Sequence, residues 1–367
     1  MLEIVSLPAR QGDALWIRWG DPGAPHQMFV DMGTEPVGKQ VRARLEALPP
    51  ERRRFDLLVV SHIDADHIGG VLTAVAEADQ DLDGLAFDDV WFNGFEHLHG
   101  KRVPPDPGIE PMGGVQGERL GHWLRGQRWN AAFDHHPVQR DPDADPPVVE
   151  LHDGLRLTVL GPTPARMRKL IEQWREEVAK ALDKGTLDPG IVTPGIEAMG
   201  TWNGPPELAT ADDLEALAAT RSKHDRAAAN GSSIALLLEY GARAVLLAAD
   251  AFADDLCEAI AAVRPDGKLR LDLCKLPHHG SRNNVHRALV QALDCDTWLF
   301  STDGTVFKHP DPEAVARVIH YGNARPRLLF NARSEYNACW ADADWQARFG
   351  YRTEYGPDGQ GIALRFG

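Results

Sequence analysis

The chain is poor in cysteine, with four among 367 residues, at Cys257, Cys274, Cys295 and Cys339, widely spaced and without a CxxC pair. That excludes a disulfide framework and a zinc knuckle and leaves reduced core residues, as for Cys274 within the apolar run Leu271–Leu276. Long apolar runs are missing too. No stretch approaches the ~20 residues needed to cross a bilayer, and the amino-terminal MLEIVSLPARQGD has no basic region followed by an apolar one. Neither a membrane span nor a secretion signal is expected, and the expected location is the cytoplasm. Positive charge is scarce: 39 Lys and Arg stand against 54 Asp and Glu, for a formal net charge of −15. A protein that grips duplex DNA non-specifically shows a basic face, so strong duplex binding is not expected. The clusters Arg52-Arg53-Arg54 and Arg119, Arg125 and Arg128 read as solvated surface. No GxSxG elbow and no P-loop occurs, which removes the common serine-nucleophile and nucleotide-cradling schemes.

What the chain does contain is enough apolar material for a sizeable core, 43% of its residues, in one large or two ordinary domains. Strand-like runs fall at 2–7, 14–19, 27–31, 56–61, 88–92, 155–160, 233–239, 243–248, 271–276, 297–301, 327–331 and 361–365. Helix-like segments occupy 38–48, 70–78, 252–263, 285–293 and 312–320. Periodicity alone therefore says α/β.

The densest chemistry lies in His62-Ile63-Asp64-Ala65-Asp66-His67, four metal-ligand side chains within six residues. Before it, Phe55–Ser61 reads as a buried strand; after it, Gly69-Gly70 reads as a tight turn leading into a helix. Ligands at the carboxyl end of a strand occupy the usual position of sites in open α/β architectures. A curled loop lets His62 and Asp64 serve one metal and Asp66 and His67 a second, at the roughly 3.5–4 Å separation of two-metal sites.

The segment Ser61–Gly70 resembles the His-x-His-x-Asp-His signature of the metallo-β-lactamase superfamily, with Asp64 in place of the second His. In that variant it is similar to the ComEC/Rec2 competence-type members, here without their membrane channel. Further pieces follow in that family's order: Gln11-Gly12-Asp13, Asp31-Met32-Gly33, Asn230–Ile234, Val245–Asp250, Lys275–Ser281, Phe300–Asp303 and Lys308-His309-Pro310. The resemblance spans residues 11–310 and implies a single four-layer αββα sandwich over 1–367. It also implies a hydrolase that uses a metal-bridging hydroxide. His62, Asp64 and one of His278 and His279 would hold one divalent ion, Asp66 and His67 the other, and Asp250 would bridge them. Zinc is the default, and the hard oxygen of Asp64 widens the choice to manganese or iron. Asp66 and His309 are the candidate catalytic residues, His309 either protonating a leaving group, holding a phosphate or capping the helix after Pro310. Asn230, Ser232, Ser233 and Ser281 are candidate substrate contacts. Ala249 replaces the family's glycine beside Asp250, a replacement that suits a turn with no need of positive φ.

The expected reaction is cleavage of a phosphodiester in a small nucleotide or a single strand, the first reading, ahead of hydrolysis of an ester, lactone or lactam and of a non-catalytic binding module. Two segments fit the sandwich poorly and read as insertions: 93–150, with His97, His99, His122, His135 and His136, as a lid or pocket wall, and the mostly helical 163–225. The histidines of the first read as scattered loop residues.

Overall fold

In the computed structural model, residues 1–78, 81–103, 116–183 and 202–367 are described. Six strands form one sheet: β1 (Leu2–Ser6), β2 (Leu15–Trp19), β3 (His26–Val30), β4 (Leu57–Val59), β5 (Val90–Trp91) and, last in the chain, β14 (Ile362–Phe366). Their order is β14-β1-β2-β3-β4-β5, antiparallel as far as β3 and parallel beyond. Eight strands form the other: β6 (Val148–Glu150), β7 (Arg156–Gly161), β8 (Ala235–Tyr240), β9 (Arg243–Leu247), β10 (Leu273–Lys275), β11 (Thr297–Phe300), β12 (Arg327–Phe330) and β13 (Arg352–Tyr355). Here the order is β13-β12-β11-β10-β9-β8-β7-β6, with β9 to β13 parallel and the rest antiparallel.

Period-two alternation sorts the side chains into three apolar layers. Leu57 and Val59 of one sheet and Leu236, Leu238, Val245 and Leu247 of the other share the layer between the sheets. Leu58 turns outward to meet Val37, Val41 and Leu45 of α1 (Glu35–Glu46) and Ile68 and Val71 of α2 (Ala65–Val71). On the far side Leu237 and Leu246 meet Leu256 and Ile260 of α6 (Ala253–Val263), Leu289 of α7 (Arg287–Ala292) and Val315 of α8 (Pro312–Tyr321). The result is the four-layer αββα sandwich that the sequence resemblance implied.

Parts of the two segments expected to be insertions pack into these layers. From 93–150, α3 (Gln116–Leu124) buries Leu120 and Leu124 in the outer core and Val148–Glu150 adds a strand at the sheet edge. From 163–225, α4 (Pro164–Asp183) contributes Met167, Leu170 and Trp174 to one outer core, and α5 (Ala211–Ala219) contributes Leu214 and Ala218 to the other. Residues 184–201 of this segment lie outside the described residues. Among the described residues no helix is long and apolar enough to cross a membrane, and all four cysteines are free thiols.

One local expectation is corrected. Gly69-Gly70 is not a turn before a helix but lies inside α2, which already begins at Ala65 with Asp64 as its N-cap residue. The glycine is needed because α2 packs tightly on the loop after β3: a Cβ on Gly70 would stand 1.9 Å from the Met32 carbonyl oxygen. Asp66 and His67 therefore project from the first turn of a helix rather than from a curled loop.

Candidate metal centre

Five loops that follow parallel strands meet where the carboxyl ends of the two sheets come together. Asp31 follows β3, Ser61 and His62 follow β4, Asp250 follows β9, His278 and His279 follow β10, and Ser301 follows β11. All of these side chains are buried, as are those of Asp64 and Asp66.

The four imidazoles converge on a single oxygen. From Asp250 Oδ2 the distances are 3.3 Å to His67 Nε2, 3.3 Å to His279 Nε2, 3.8 Å to His278 Nε2 and 3.9 Å to His62 Nε2. Each ring is turned that way by a fixed partner on its Nδ1. His67 Nδ1 donates to Asp31 Oδ2 (2.8 Å) and His279 Nδ1 to the Ser301 carbonyl (2.9 Å). His278 Nδ1 donates to Asn284 Oδ1 (3.0 Å). Ser61 Oγ gives its proton to Asp31 Oδ2 (2.6 Å) and so accepts from His62 Nδ1 (3.0 Å). One buried carboxylate, Asp31, thus orients two rings, the arrangement that fixes the tautomer of ligand histidines. With Nδ1 donating in every case, every Nε2 presents a lone pair. The Nε2 atoms of His67 and His279 stand 3.3 Å apart, a repulsive contact unless a cation or proton lies between them.

Asp64 and Asp66 flank this group on different sides. Asp64 Oδ2 lies 3.5 Å from His62 Nε2, and Asp66 Oδ2 lies 3.8 Å from His279 Nε2. Ligand-type atoms of His62, His67 and Asp250 lie within 4.8 Å of one another, and so do those of Asp66, His67 and His279. The structure groups His279 with Asp66 and His67, whereas the sequence reading places one of His278 and His279 with His62 and Asp64 and gives Asp66 and His67 no further histidine.

The charge balance fits divalent ions. Asp13, Asp31, Asp64, Asp66 and Asp250 are five buried carboxylates, and the one buried ammonium among them is Lys275, paired with Asp13 and 3.9 Å from Asp250 Oδ1. Unpaired buried charge of this amount is untenable without added positive charge. Burial alone would raise the Asp250 pKa, yet His279, His67 and His278 hold it well below the carboxylate range. Burial would likewise lower His67, and Asp250 and Asp31 raise it well above the ordinary histidine value instead. Three buried atoms of these ligand-type side chains have no hydrogen-bond partner among the described residues: His62 Nε2, Asp64 Oδ1 and Asp250 Oδ1. Imidazole nitrogen and carboxylate oxygen in this mixture are the donors that zinc, manganese and iron take.

The remaining candidates sit around the centre in supporting positions. Asn230 Nδ2 donates to Asp225 Oδ2 (2.8 Å) and lies 3.3 Å from His278 Nδ1. Ser233 Oγ accepts from the Asp250 amide (3.3 Å), Ser232 Oγ donates to the Ala229 carbonyl (2.6 Å), and Ser281 Oγ accepts from the Asn283 amide (3.3 Å). In this structure those three hydroxyls hold the loops. His309 is buried, with its ring 5.5 Å from that of His278, and the N-cap of α8 is Asp311. His309 is thus beside the centre and is not the helix cap.

Sequence reasoning gave no role to Asp13, Asp31, Lys275 or Ser301, although all four stand inside the quoted motifs, and it missed Asp225 and Asn284. Asn284 is a hub: its Nδ2 also donates to Asp225 Oδ2 (2.9 Å) and to the Asp250 carbonyl (3.3 Å). The Ala249 expectation is also corrected. Ala249 has φ +46°, and its carbonyl accepts from Lys275 Nζ and from the His278 amide, both at 3.0 Å. Asp31, His278 and His279 also have positive φ, so four of the eleven such non-glycine residues among the described residues lie at the centre, backbone strain of a kind found at functional sites.

No family model matches the chain, and no curated protein does. Solved structures do. YhfI from Bacillus subtilis, a metallo-beta-lactamase fold protein, matches at 10% identity and a TM-score of 0.38 over 99% of this chain and 98% of that one. CmlA, a diiron beta-hydroxylase from Streptomyces venezuelae, matches at 14% identity and a TM-score of 0.41 over 100% of this chain and 54% of that one. A mutant of the CmlA beta-hydroxylase gives 14% identity and a TM-score of 0.39, covering 53% of its length. The chain spans about half the length of the CmlA chains it matches. Similarity at this level carries nothing about the reaction.

Proposed function

We propose that this chain is a binuclear metal-dependent hydrolase of the metallo-β-lactamase superfamily that cleaves a phosphodiester in a small nucleotide or single-stranded substrate. The observation that carries the proposal is the convergence of four Nδ1-anchored imidazoles on Asp250 Oδ2 at 3.3–3.9 Å. Asp66, His67 and His279 would hold one ion, and His62, Asp64 and His278 the other, with Asp250 shared between them. Bound there, divalent ions supply a nucleophile from water at neutral pH and a Lewis acid for a phosphoryl oxygen.

The chain's own residues do the rest. Asp31 and Ser301 keep the rings of His67 and His279 from turning. Asp64 brings a hard oxygen and a negative charge where the family signature has a histidine, which supports phosphoester over lactam chemistry. His309, next to His278, is placed to give a proton to a leaving alkoxide or to hold a phosphate oxygen. The basic runs add little for a long polyanion: Arg53 is buried and donates to the carbonyls of Leu45, Glu46 and Leu48 near the end of α1, while Arg119 pairs with Glu77.

The test is turnover of bis-p-nitrophenyl phosphate by the metal-loaded chain. Turnover that a chelator stops and zinc or manganese restores is expected. Absence of turnover with any divalent metal would overturn the reading. Cleavage of lactones or nitrocefin in its place would move the reaction to carbon esters or lactams.

A further inference from the structure

A second group of ligand-type side chains lies apart from the centre. His224 belongs to the irregular stretch before the one-turn helix Ala228–Gly231, Asp254 to the first turn of α6, and His286 is the residue before α7. One ligand-type atom from each lies within 4.8 Å of the other two. His224 Nδ1 is 3.0 Å from Asp254 Oδ2, and the two imidazoles stand edge to face with centroids 4.8 Å apart. His286 is hydrogen-bonded to the Asn283 backbone, yet its Nε2 is buried and has no partner among the described residues. All three side chains line a cavity of about 340 Å³, so an ion there has room to keep water in its open coordination positions.

A comparable trio elsewhere shows the difference. His26, Asp56 and His152 also come together, but Asp56 already accepts from both Nδ1 atoms and from the Gln27 amide. That trio is closed on itself. At His224, Asp254 and His286 a buried nitrogen is left over, and the three side chains line a cavity.

We propose that His224, Asp254 and His286 form a third metal position, for a zinc-class divalent ion, at the periphery of the centre. Two imidazoles and one carboxylate with an open fourth position match the three-ligand pattern of such ions. The ion would pin residues 221–227 to α6 and α7. That stretch carries Asp225, which accepts from Asn230 and Asn284 and lies 3.4 Å from His278 Nδ1, so occupancy would steady the network behind one ligand of the centre.

The proposal stands independently of the reaction assigned to the centre, and metal counting separates the two. The full chain, a His224→Ala/His286→Ala variant and an Asp66→Ala/Asp250→Ala variant are equilibrated with zinc, dialysed and analysed for bound metal. The peripheral variant is expected to hold one ion fewer than the full chain, and the central variant to keep one. Equal zinc content in the full chain and the peripheral variant would overturn the proposal. His224 is exposed and His286 is half-buried where it lines the cavity, so the peripheral variant should stay folded. If the central variant does not fold, the difference between the other two decides alone. Cobalt gives a second readout, a visible ligand-field band lost in the peripheral variant; a band unchanged there would equally overturn the assignment.

Discussion

Two histidine-rich regions of this molecule use the same side chain in opposite ways. At the centre, His62, His67, His278 and His279 each spend Nδ1 on a fixed acceptor and leave Nε2 aimed at Asp250. In the 93–150 segment, His97 is just as buried, but both of its nitrogens are spent: Nδ1 accepts from the Gly94 amide (3.2 Å) and Nε2 donates to the His135 carbonyl (3.1 Å). Burial alone therefore does not mark a ligand. A buried ring with one nitrogen anchored and the other left open beside a carboxylate does.

If that distinction is right, the largest effect should come from removing the carboxylate on which the open nitrogens converge. Asp250→Ala is expected to cut turnover of bis-p-nitrophenyl phosphate by about a thousandfold, or ~4 kcal/mol of transition-state stabilisation, as steady-state rates will show. An activity within a few-fold of wild type would mean that Asp250 is not shared by the ions. The counterpart concerns His97, whose pKa burial pushes down to about 4 from the ordinary 6.5. Between those values the unfolded chain binds a proton that the folded chain refuses, so stability rises with pH through this window and is lost as pH falls from 6.5 towards 4. The gap corresponds to about 3 kcal/mol. Urea unfolding of chelator-treated protein should show this slope in the wild type and a flatter one in His97→Gln; parallel slopes would count against a neutral structural ring.

Smaller effects separate anchor from ligand. Asp31→Asn keeps the shape but weakens the acceptor for His67, and a loss of 10–100-fold in metal affinity is typical of such orienting partners, roughly 1.4–2.7 kcal/mol. Competition against a chromophoric chelator measures it, and unchanged affinity would deny Asp31 its orienting part. Ala249→Gly touches no ring nitrogen and relieves a left-handed alanine, so thermal unfolding should report a gain of about 0.5–1 kcal/mol. A loss of stability would show that φ +46° at Ala249 carries no strain.

The sequence shows more of the ligands than of what holds them. Each of the twelve apolar runs overlaps a strand: in most of them burial on both faces leaves a continuous β-branched or leucine-rich signal, while Ile362–Phe366 shows the alternation of a half-buried strand. Of the strands in the two large sheets, those missed are Val148–Glu150 and Arg352–Tyr355, at the two edges of the larger one, whose exposed positions leave no continuous apolar run; the short strands Arg54–Phe55, Ala86–Phe87, Leu269–Leu271 and Leu293–Cys295 of two small sheets were missed as well. The helix start at Ala65 was misplaced because Gly70 answers to the Met32 carbonyl, a contact between separate segments that no local pattern records. Among the site residues, the ligand motifs are dense and legible. Their anchors are not: Asp31 reaches His67 across 36 positions and Ser301 reaches His279 across 22, and only the fold makes either pair neighbours.

The central claim, a pair of ions sharing Asp250, is tested most directly by metal content in the His224→Ala/His286→Ala background, which removes the proposed peripheral position. Two ions per chain are predicted there, falling to well under one when Asp250→Ala is added. Fewer than one ion before that change, or two retained after it, would contradict the account.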